Sequence, residues 1–419
     1  MPGALDGISV LEFSEVIAAP FAGMVLSDMG ANVIKIEPPW GEQWRLNLQV
    51  APLESRGFIG VNRGKKSLPV DLSKPEGQAI AHALVPGSDI VLINYRPDVP
   101  AKLHIDHATL SAINPRIIYC ENTAFGREGP DSDRPGYDII AQAMTGLMAT
   151  DEKVQEGVPA VYQSTPFVDL ASGLAMVGGI CAALWARERT GVGQKVDTTL
   201  LGTGLALQGL RNTWLESVDR ESHSTFIEDL AVMRAAGCSY TEIQDRYNQM
   251  LGRKAGIHRY WYRTYQTQDG QIAVGCLSNS LRKRLLDILG IDGTGEVSVG
   301  PLSDADVDRA RQAVRIMATR TTSEWITDFD DVGVPAGPVR YAEELWADPQ
   351  ALANGLVVER EHPVVGTVRM TGPLIKMSGT PTEAKQASPT LGQDTEEILA
   401  ALGYAANQIE SLRRDMIVR

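Results

Sequence analysis

The sequence ISVLEFSEVIAAPFAGMVLSDMGANVIKIE, residues 8–37, decides the fold class. Residues 8–13 alternate as a half-buried strand does, and Pro20 stands in the first turn of a predicted helix that ends at Gly30. Residues 33–37 read as the next strand. A strand, a helix and a second strand in this order are typical of a parallel sheet. We therefore predict an α/β protein.

The turn after the first strand reads EVIAAP, residues 15–20, and lacks the GxGxxG sequence of dinucleotide-binding folds. The helix that follows still offers free backbone N–H groups to an anion or a polar ligand. Residues 89–93 read as a buried strand that ends in Asn94-Tyr95-Arg96-Pro97. Ligands of open α/β sheets bind beyond the carboxyl ends of strands, so this tetrapeptide is well placed for one. That Arg96 is an ordinary surface residue stays open.

Residues 162–190 combine an extended entry with a long apolar helix, and Asp169 stands where the helix begins. From the residues alone, two interpretations of this carboxylate stay open. It is an N-cap that accepts the first backbone N–H groups, or it is a nucleophile that forms covalent acyl intermediates. The helix N-terminus is expected to keep the carboxylate ionised. The geometries differ, because a capping oxygen is turned toward its own backbone.

Three further segments bear on the site. Residues 62–66 (NRGKK) are a basic turn, which is either a solvated loop or a phosphate contact. Residues 70–72 read as a short strand. Residues 125–138 (FGREGPDSDRPGYD) form a long loop rich in turn residues, and loops of this length in a compact domain are usually functional or disordered. We interpret it as an ordered binding loop.

The composition is that of an ordinary globular protein. The chain has 419 residues, more than one simple core usually holds, with 43% hydrophobic and 22% charged residues. The net charge of −13 argues against nucleic acid or an anionic membrane as the main partner. The four cysteines are far apart and the six histidines are scattered, which predicts a reducing, cytoplasmic compartment and no metal site. We expect no signal peptide, and a buried helix rather than a membrane span in residues 170–185.

Nine segments, which span nearly the whole chain, together resemble the family III CoA-transferases. This CaiB/BaiF-like family includes the formyl-CoA, carnitine and succinyl-CoA-dependent enzymes. The segments are VLEFSEVIAAPFAGMVLSDMGANVIKIEPPWGEQWR, NRGKKSLPVDLSKPEG, VLINYRP, the FGREGP…RPGYD loop, FVDLASG, TGVGQKVDTTLL, DG before QIAVG, GVPAGPV and SPTLGQDTEEIL.

The resemblance implies an architecture. It implies a Rossmann-like large domain with a parallel sheet, whose N-terminal part is residues 1–215. It implies a smaller α+β domain in residues 216–332, and a linker and C-terminal part, residues 333–419, that return to the large domain. It also implies that two chains interlock as a homodimer.

The resemblance also implies a reaction. CoA moves from an acyl-CoA, such as succinyl-CoA or a related thioester, to an organic carboxylic acid, with no tightly bound cofactor. Asp169 is the expected nucleophile, which forms a mixed anhydride and then an aspartyl-CoA thioester. Other enzymatic outcomes stay open, namely migration of CoA between the two carboxylates of one dicarboxylic acid and racemisation of an α-methylacyl-CoA. A non-catalytic CoA-binding subunit is the alternative from another class.

Further site residues are implied position by position. The resemblance implies that the turn with Val16, Ile17 and Ala18 holds CoA near the active site, and that the segment with Val70 and Asp71 contacts adenine. It implies that Asn94, Tyr95 and Arg96 contact CoA at the end of a strand, and that Lys102 contacts a phosphate. It also implies that Tyr137 and Asp138 lie in a loop near the substrate. That Val70 is plain strand core and Lys102 a solvated helix residue stays open.

The chain departs from the family pattern at several positions. Pro38 stands where an arginine is common, and Arg45 is the candidate to replace it. Ile17 stands where the formyl-CoA branch has a glutamine, and GRKAGIHRY, residues 252–260, replaces a run of glycines, which argues against formyl-CoA or oxalate. Tyr137 stands where the racemases have an acid/base histidine.

The absence of a histidine at position 137 argues against proton abstraction at the α-carbon of the thioester. We expect the choice of substrate at Ile17, Tyr137 and the region around His258.

Overall fold

A computed structural model of the chain describes residues 1–150, 153–162, 165–251, 259–296 and 303–419. The chain divides into two compact units. The larger contains residues 1–151, 161–213 and 346–419, and the smaller contains residues 152–160 and 214–345. Three separate segments therefore build the larger unit. The predicted division, with residues 1–215 and 333–419 in the large domain and residues 216–332 in the small one, stays a prediction.

Helices and strands alternate through most of the first half of the chain, as expected for a parallel α/β fold. In chain order the described strands are β1 (Ser9–Phe13), β2 (Asn32–Glu37), β3 (Gln49–Ala51), β4 (Glu54–Ser55), β5 (Lys66–Pro69), β6 (Ile90–Ile93), β7 (Ile118–Thr123), β8 (Val154–Gln155), β9 (Val158–Pro159), β10 (Gln194–Thr199), β11 (Tyr262–Gln266), β12 (Gln271–Gly275), β13 (Ala336–Pro338), β14 (Val357–His362) and β15 (Gly366–Thr371). The described helices are α1 (Ala18–Asp28), α2 (Gln43–Leu46), α3 (Arg56–Val61), α4 (Pro75–Leu84), α5 (Val99–Lys102), α6 (His107–Ile113), α7 (Asp138–Met144), α8 (Leu147–Thr150), α9 (Phe167–Thr190), α10 (Leu200–Leu207), α11 (Glu216–Ala235), α12 (Tyr240–Met250), α13 (Asn279–Ile288), α14 (Asp304–Met317), α15 (Thr322–Val332), α16 (Pro349–Ala353), α17 (Thr395–Ala401) and α18 (Ala406–Arg414), with short 3-10 turns at Val85–Gly87, Gly209–Asn212 and Ala342–Ala347.

A six-stranded parallel sheet forms the centre of the larger unit. Its strand order is β10, β7, β6, β1, β2, β5, and every neighbouring pair is parallel. The predicted parallel α/β fold is thus confirmed. The strand order reverses at β1, which has β2 on one side and β6 on the other. Ligands of open α/β sheets bind beyond the carboxyl ends of strands at such a reversal.

Both faces of this sheet are covered. Successive residues of a strand point to opposite faces, and in β1 the side chain of Val10 enters one apolar cluster while Leu11 enters another. The first cluster includes residues of α1 and α9, and the second includes residues of α4, α6, α17 and α18. Burial on both faces explains why the central strands read as nearly continuous apolar runs.

Helix α9 is the longest helix of the larger unit. By length and composition alone it is apolar enough to cross a membrane. Its buried residues Met176, Val177 and Ile180 pack in the first cluster with α1. Near its C-terminus, buried Arg187 pairs with Asp89 at 2.9 Å. These contacts are those of a helix packed on a sheet, as the sequence predicts.

The strand predicted at residues 70–72 is wrong. The strand is β5, which ends at Pro69, and Val70 makes only an isolated antiparallel bridge with Val418. The strand begins earlier than predicted because Lys66 and Ser67 pair with β2, although the predicted basic turn extended to Lys66.

The solvated-loop interpretation of the basic turn at residues 62–66 is wrong for Arg63 and Lys65, and the phosphate contact stays a prediction. Arg63 is buried and pairs with Asp28 at 2.6 Å, and Lys65 is buried and pairs with Glu12 at 2.8 Å. Unpaired buried charges are very costly, so these cations are held by the carboxylates that they neutralise.

The smaller unit is α+β. Strands β11, β12 and β13 form an antiparallel sheet, and α11 to α15 belong to the same unit. The core is rich in aromatic side chains, among them Trp261, Tyr265, Trp325 and Phe329. The predicted hairpin of residues 260–275 is present as β11 and β12.

Candidate active site

The turn between β1 and α1 carries a rare backbone conformation. Val16 has a φ of 67°, in the left-handed region that β-branched residues seldom adopt. Such a conformation costs about 1–3 kcal/mol and persists only where its surroundings hold it in place. Strained turns of this kind cluster at functional sites.

Side chains from other elements hold this turn. Asn94, which follows β6, accepts a hydrogen bond from the Glu15 N–H at 3.0 Å and donates to the Glu15 carbonyl at 2.8 Å. The Val16 N–H donates to Oε2 of Glu42 at 2.8 Å. The ends of β1 and β6 are thereby tied together at the reversal of the strand order.

Helix α1 begins directly after this turn. The first N–H groups of a helix have no partner within the helix. The Ile17 carbonyl accepts from the Phe21 N–H at 2.7 Å, whereas the N–H groups of Ile17 and Ala18 make no hydrogen bond within the part of the chain that the structure describes. Free N–H groups at a helix N-terminus can stabilise negative charge.

Asp169 does not cap its helix. It lies in the first turn of α9, whose N-cap residue is Pro166. The capping acceptor is Asp138, whose Oδ1 accepts from the N–H groups of Val168 and Asp169 at 2.9 and 3.0 Å. The second oxygen of Asp138 accepts from the side-chain amide of Gln142. The N-cap interpretation of Asp169 is therefore wrong, because Asp138, the first residue of α7, supplies that oxygen.

The carboxyl group of Asp169 remains available. Only 8% of the residue is exposed, and its side chain makes no hydrogen bond to any residue that the structure describes. Burial, with the negative charge of Asp138 as the second cause, raises the pKa of Asp169 to about 7. We expected the helix N-terminus to keep this group ionised, but the cost of burying a charge outweighs that effect here.

Asp169 borders two cavities of the larger unit. The smaller measures about 60 Å³ and the larger about 440 Å³. The smaller is lined by Glu15, Val16, Ile17, Ala18, Asn94, Asn122, Thr123, Ala124, Gly136, Tyr137, Asp169 and Leu200. The larger is lined by Val16, Ile17, Gln43, Trp44, Asn47, Tyr137, Asp138, Ile139, Gln142, Val161, Tyr162, Pro166 and Asp169.

Seven of the predicted site residues thus gather around these cavities, namely Val16, Ile17, Ala18, Asn94, Tyr137, Asp138 and Asp169. Tyr137 is 55% exposed and precedes α7 as its N-cap residue. The smaller cavity lies at the carboxyl ends of β1, β6 and β7, as the sheet topology predicts.

The two predicted cations near β6 share one partner. Arg96 lies 3.5 Å from Asp98, and the Lys102 ammonium lies 2.7 Å from the same carboxylate. Their side chains are 57% and 71% exposed, so both are open to solvent. Neighbouring Tyr95 packs against the second apolar cluster, and burial raises the pKa of its phenol.

Loop 125–138 reaches the same strand end. Arg127 donates to the Pro97 carbonyl at 2.7 Å and pairs with buried Glu121.

Val70 and Asp71 lie away from both cavities. Val70 is 2% exposed and belongs to the second apolar cluster, as its alternative interpretation expected. Asp71 accepts hydrogen bonds from the N–H and the hydroxyl of Ser73 at 3.0 and 2.6 Å. Adenine contact at this position stays a prediction.

Arg45 does not replace the arginine missing at Pro38. It is fully buried, pairs with Glu37 at 2.8 Å and lies 3.6 Å from the centre of the Phe58 ring. A guanidinium held in this way has no access to a phosphate in solvent. The candidate substitution is therefore wrong.

Several site residues were not predicted. Glu42 and Trp44 lie in the stretch WGEQWR, where nothing in the local pattern marks them. Glu15 could have been found, since it lies two residues after a strand that ends at the site, and burial raises the pKa of its carboxyl group. His258 and residues 252–258 lie outside the described residues. Among the residues that are described, no group of His, Cys, Asp or Glu could hold a metal ion.

Known proteins match this chain over nearly its whole length. The model of CoA-transferase family III matches residues 5–395. The chain is 31% identical to succinyl-CoA:glutarate CoA-transferase of Homo sapiens, with 94% of this chain and 85% of the human protein covered. It is 33% identical to succinate–glutarate CoA-transferase of Agrobacterium fabrum, with 95% of each covered. A solved CAIB/BAIF family protein from Brucella suis superposes with a TM-score of 0.73 at 27% identity, covering 96% of this chain and all of that one (100%).

These matches define the class as an enzyme that transfers CoA between acids. The chain belongs to CoA-transferase family III. Its substrates are therefore CoA thioesters.

Proposed function

We propose that this enzyme moves CoA from succinyl-CoA, or a related acyl-CoA, to an organic carboxylic acid, with Asp169 as the nucleophile. One observation carries the proposal. Asp169 borders a cavity at the carboxyl ends of the strands, while Asp138 takes the capping bonds that would otherwise turn the Asp169 oxygens toward the backbone.

The proposed reaction has two halves. A carboxylate oxygen of Asp169 attacks the thioester carbonyl carbon, which forms a mixed anhydride and releases CoA thiolate. The thiolate then attacks the aspartyl carbonyl, which releases the donor acid and leaves an aspartyl-CoA thioester. The acceptor carboxylate attacks this thioester, which forms a second anhydride and releases CoA thiolate. The thiolate then attacks the acceptor carbonyl, which gives the acceptor's CoA thioester and releases the carboxylate of Asp169. Each step exchanges an acyl group between oxygen and sulfur, so positioning and charge stabilisation suffice.

The free N–H groups of Ile17 and Ala18 support this chemistry. Negative charge develops on the carbonyl oxygen when a thioester or an anhydride is attacked. Helix N-terminal N–H groups that border the same cavity as Asp169 can donate to such an oxygen. Removing one donor of this kind typically lowers the rate by about 100- to 1,000-fold.

The CoA moiety has a proposed path along the end of β6. Asn94, Arg96 and Lys102 follow this strand, and the two cations are exposed to solvent. A phosphate would have to compete with Asp98 for both of them. We also propose adenine contact by Val70 and Asp71.

Names of relatives suggest the first substrates to test. The human and Agrobacterium proteins are named for succinyl-CoA or succinate and for glutarate. We therefore propose a dicarboxylic acid as the acceptor, with the choice made around Ile17, Tyr137 and the region near His258.

We also propose a homodimer of interlocked chains in the cytoplasm. Two helices support a partner surface, because their apolar side chains remain exposed in the single chain. Helix α9 exposes Leu174 and Trp185, and α11 has no buried residue at all among its 20 while exposing Val218 and Val232. Exposed apolar faces of this kind mark interfaces.

Trapping of the covalent intermediate tests the proposal. The enzyme is incubated with succinyl-CoA without acceptor and then treated with hydroxylamine or borohydride, and the peptide that contains residue 169 is analysed by mass spectrometry. Modification of Asp169, and its loss in Asp169→Ala, is the expected result. An Asp169→Ala enzyme with full transferase activity would show the mechanism to be wrong.

A panel of donors and acceptors separates the alternatives. CoA transfer that requires an added acid supports the proposal. Transfer within one dicarboxylic acid, without an acceptor, supports intramolecular migration. Deuterium exchange at the α-carbon of a branched acyl-CoA supports a racemase.

A further inference from the structure

We propose that Glu42 is a positioning residue for CoA transfer, which fixes the left-handed backbone of Val16 and thereby the free N–H groups at the start of α1. The inference rests on the proposed role of Asp169. It adds a residue that touches no substrate and acts through the turn beside the nucleophile.

The contact is short and buried. Oε2 of Glu42 accepts from the Val16 N–H at 2.8 Å, and Glu42 is only 2% exposed. Glu42 itself lies just before α2 as its N-cap residue, without a capping bond from its side chain. The carboxylate is therefore committed to the turn and not to its own helix.

A buried lysine fixes the other oxygen of this carboxylate. Oε1 of Glu42 lies 2.9 Å from Nζ of Lys35. The same ammonium donates to the Ser14 carbonyl at 2.8 Å, so Lys35 holds the turn as well as Glu42. The Lys35 ammonium also forms a salt bridge with Glu12 at 3.1 Å.

The turn is thus held at successive backbone groups. Lys35 binds the Ser14 carbonyl, Asn94 binds both backbone groups of Glu15, and Glu42 binds the N–H of Val16. The next two N–H groups are those left free at the cavity. The last fixed group and the first free group therefore belong to adjacent residues.

The chemistry explains why a charged group is used at this place. Buried ion pairs are seldom the most stabilising choice, since apolar residues of equal volume often serve stability as well or better. A strained backbone, however, relaxes unless strong contacts hold it. A carboxylate that accepts from an N–H gives a stronger hydrogen bond than a neutral acceptor. We infer that Glu42 keeps Val16 from relaxing to a negative φ, which would turn the following N–H groups.

A double-mutant cycle tests this inference. Glu42→Ala is expected to slow formation of the Asp169 adduct by roughly 100-fold, the effect of a displacement of about 1 Å, with the KM for acyl-CoA changed much less. Glycine adopts positive φ without strain. The loss caused by Glu42→Ala should therefore be several-fold smaller in a Val16→Gly background than with Val16 present. A role in overall stability alone would not produce this dependence.

Two further variants complete the design. Glu42→Gln retains an oxygen that can accept from the Val16 N–H, so it should lose less activity than Glu42→Ala. Glu54→Gln is the matched control, because Glu54 is a buried glutamate that pairs with Arg45 at 3.4 Å and makes no contact with the turn. Its adduct rate should stay near that of the parent enzyme. If Glu42→Ala does not fold, as judged by circular dichroism, the cycle is run with Glu42→Gln.

The outcomes separate the two proposals. Adduct formation at the parent rate in the Glu42 variants, an equal loss in Glu54→Gln, or the same loss with Val16 and with glycine would overturn the role of Glu42. None of these results touches the role of Asp169. Full activity of Asp169→Ala would instead overturn the proposed function.

Discussion

Two aspartates have different roles at the start of α9. Asp138 accepts the first N–H groups of the helix, and Asp169 faces the cavities without a capping bond. Their closeness has an electrostatic consequence, since the charge of Asp138 adds to burial in raising the pKa of Asp169 to about 7. The proposed nucleophile is therefore only partly ionised at neutral pH in the free enzyme.

The activity should depend on pH in a defined direction. A nucleophile must be ionised, and an acid with a pKa of about 7 loses its charge as the pH falls through that value. We expect kcat/KM, which reports the free enzyme, to rise with pH through about 7 and to level off above it. Stopped-flow measurement of acyl transfer from succinyl-CoA between pH 5 and pH 9 checks this.

Asp138→Asn supplies the control for this pH dependence. Asparagine can still accept from the N–H groups of Val168 and Asp169, but it removes the negative charge. The midpoint of the profile should move to lower pH. If the midpoint does not move and the variant is folded, burial alone would account for the raised pKa of Asp169.

The proposed role of Arg96 and Lys102 in binding the CoA part of the substrate can be tested by substitution. Arg96→Gln and Lys102→Gln should each raise the KM for acyl-CoA, within about tenfold, and leave kcat nearly unchanged, because both are exposed and screened by salt. Steady-state kinetics at two ionic strengths check this. Arg311→Gln, an exposed arginine of the smaller unit paired with Asp308 at 3.3 Å, is the matched control. A KM unchanged in both test variants would remove them from the CoA site.

At the scale of elements, the approach of α9 to α1 matters most. Gly173 lies one turn after Asp169, and a Cβ built on it would come within 2.7 Å of the Ala18 carbonyl oxygen. That oxygen belongs to the backbone and cannot rotate away. The absence of a side chain at residue 173 therefore sets how closely the helix of the proposed nucleophile approaches the free N–H groups of α1.

Gly173→Ala should therefore lower both stability and activity. Overpacking of a tight contact costs about 1–3 kcal/mol, and the forced shift separates Asp169 from the start of α1. We expect a lower melting temperature and a fall in kcat of at least tenfold, about 1.4 kcal/mol in activation free energy. Differential scanning calorimetry and initial rates measure the two effects.

Gly60→Ala is the control for this substitution. Gly60 lies within α3, and a Cβ there meets no atom within 4 Å. Because alanine favours helix more than glycine, stability should rise slightly, by at most about 1 kcal/mol, with unchanged kcat. Equal behaviour of the two variants would show that the contact at Gly173 has no special role.

At the scale of the whole molecule, the exposed apolar side chains of α9 and α11 support the proposed dimer. Leu174→Glu with Trp185→Glu should convert the proposed dimer to monomers, because two charges would be buried in an apolar interface. Sedimentation velocity measures the result. Leu277→Glu, at a leucine of the smaller unit that is more exposed than Leu174, should leave the proposed dimer intact. A parent enzyme that sediments as a monomer would contradict the dimer itself.

Much of the fold could be predicted from the periodicity of apolar residues and from the rules of sheet topology. The central strands and their parallel order follow from short apolar runs separated by helices, and the position of Asn94 and Asp169 at strand and helix ends followed with them. Other features depend on contacts between distant residues, which a local pattern cannot express. The capping of α9 by Asp138 and the bond of Glu42 to Val16 are such contacts. The burial of Lys65 cannot be predicted locally for the same reason, because its partner Glu12 lies in the distant strand β1.

The edge of the central sheet has a consequence for biosynthesis. Val70 pairs with Val418, the Asp71 N–H bonds to the Ile417 carbonyl, and Ile398 and Ile409 share the apolar cluster of Leu11. At about 5–20 residues per second, the ribosome makes the later partners roughly 20–70 s after the earlier ones. During that interval part of one apolar face of the nascent sheet stays uncovered, so translation speed and chaperone supply should govern how much correctly folded enzyme a cell obtains.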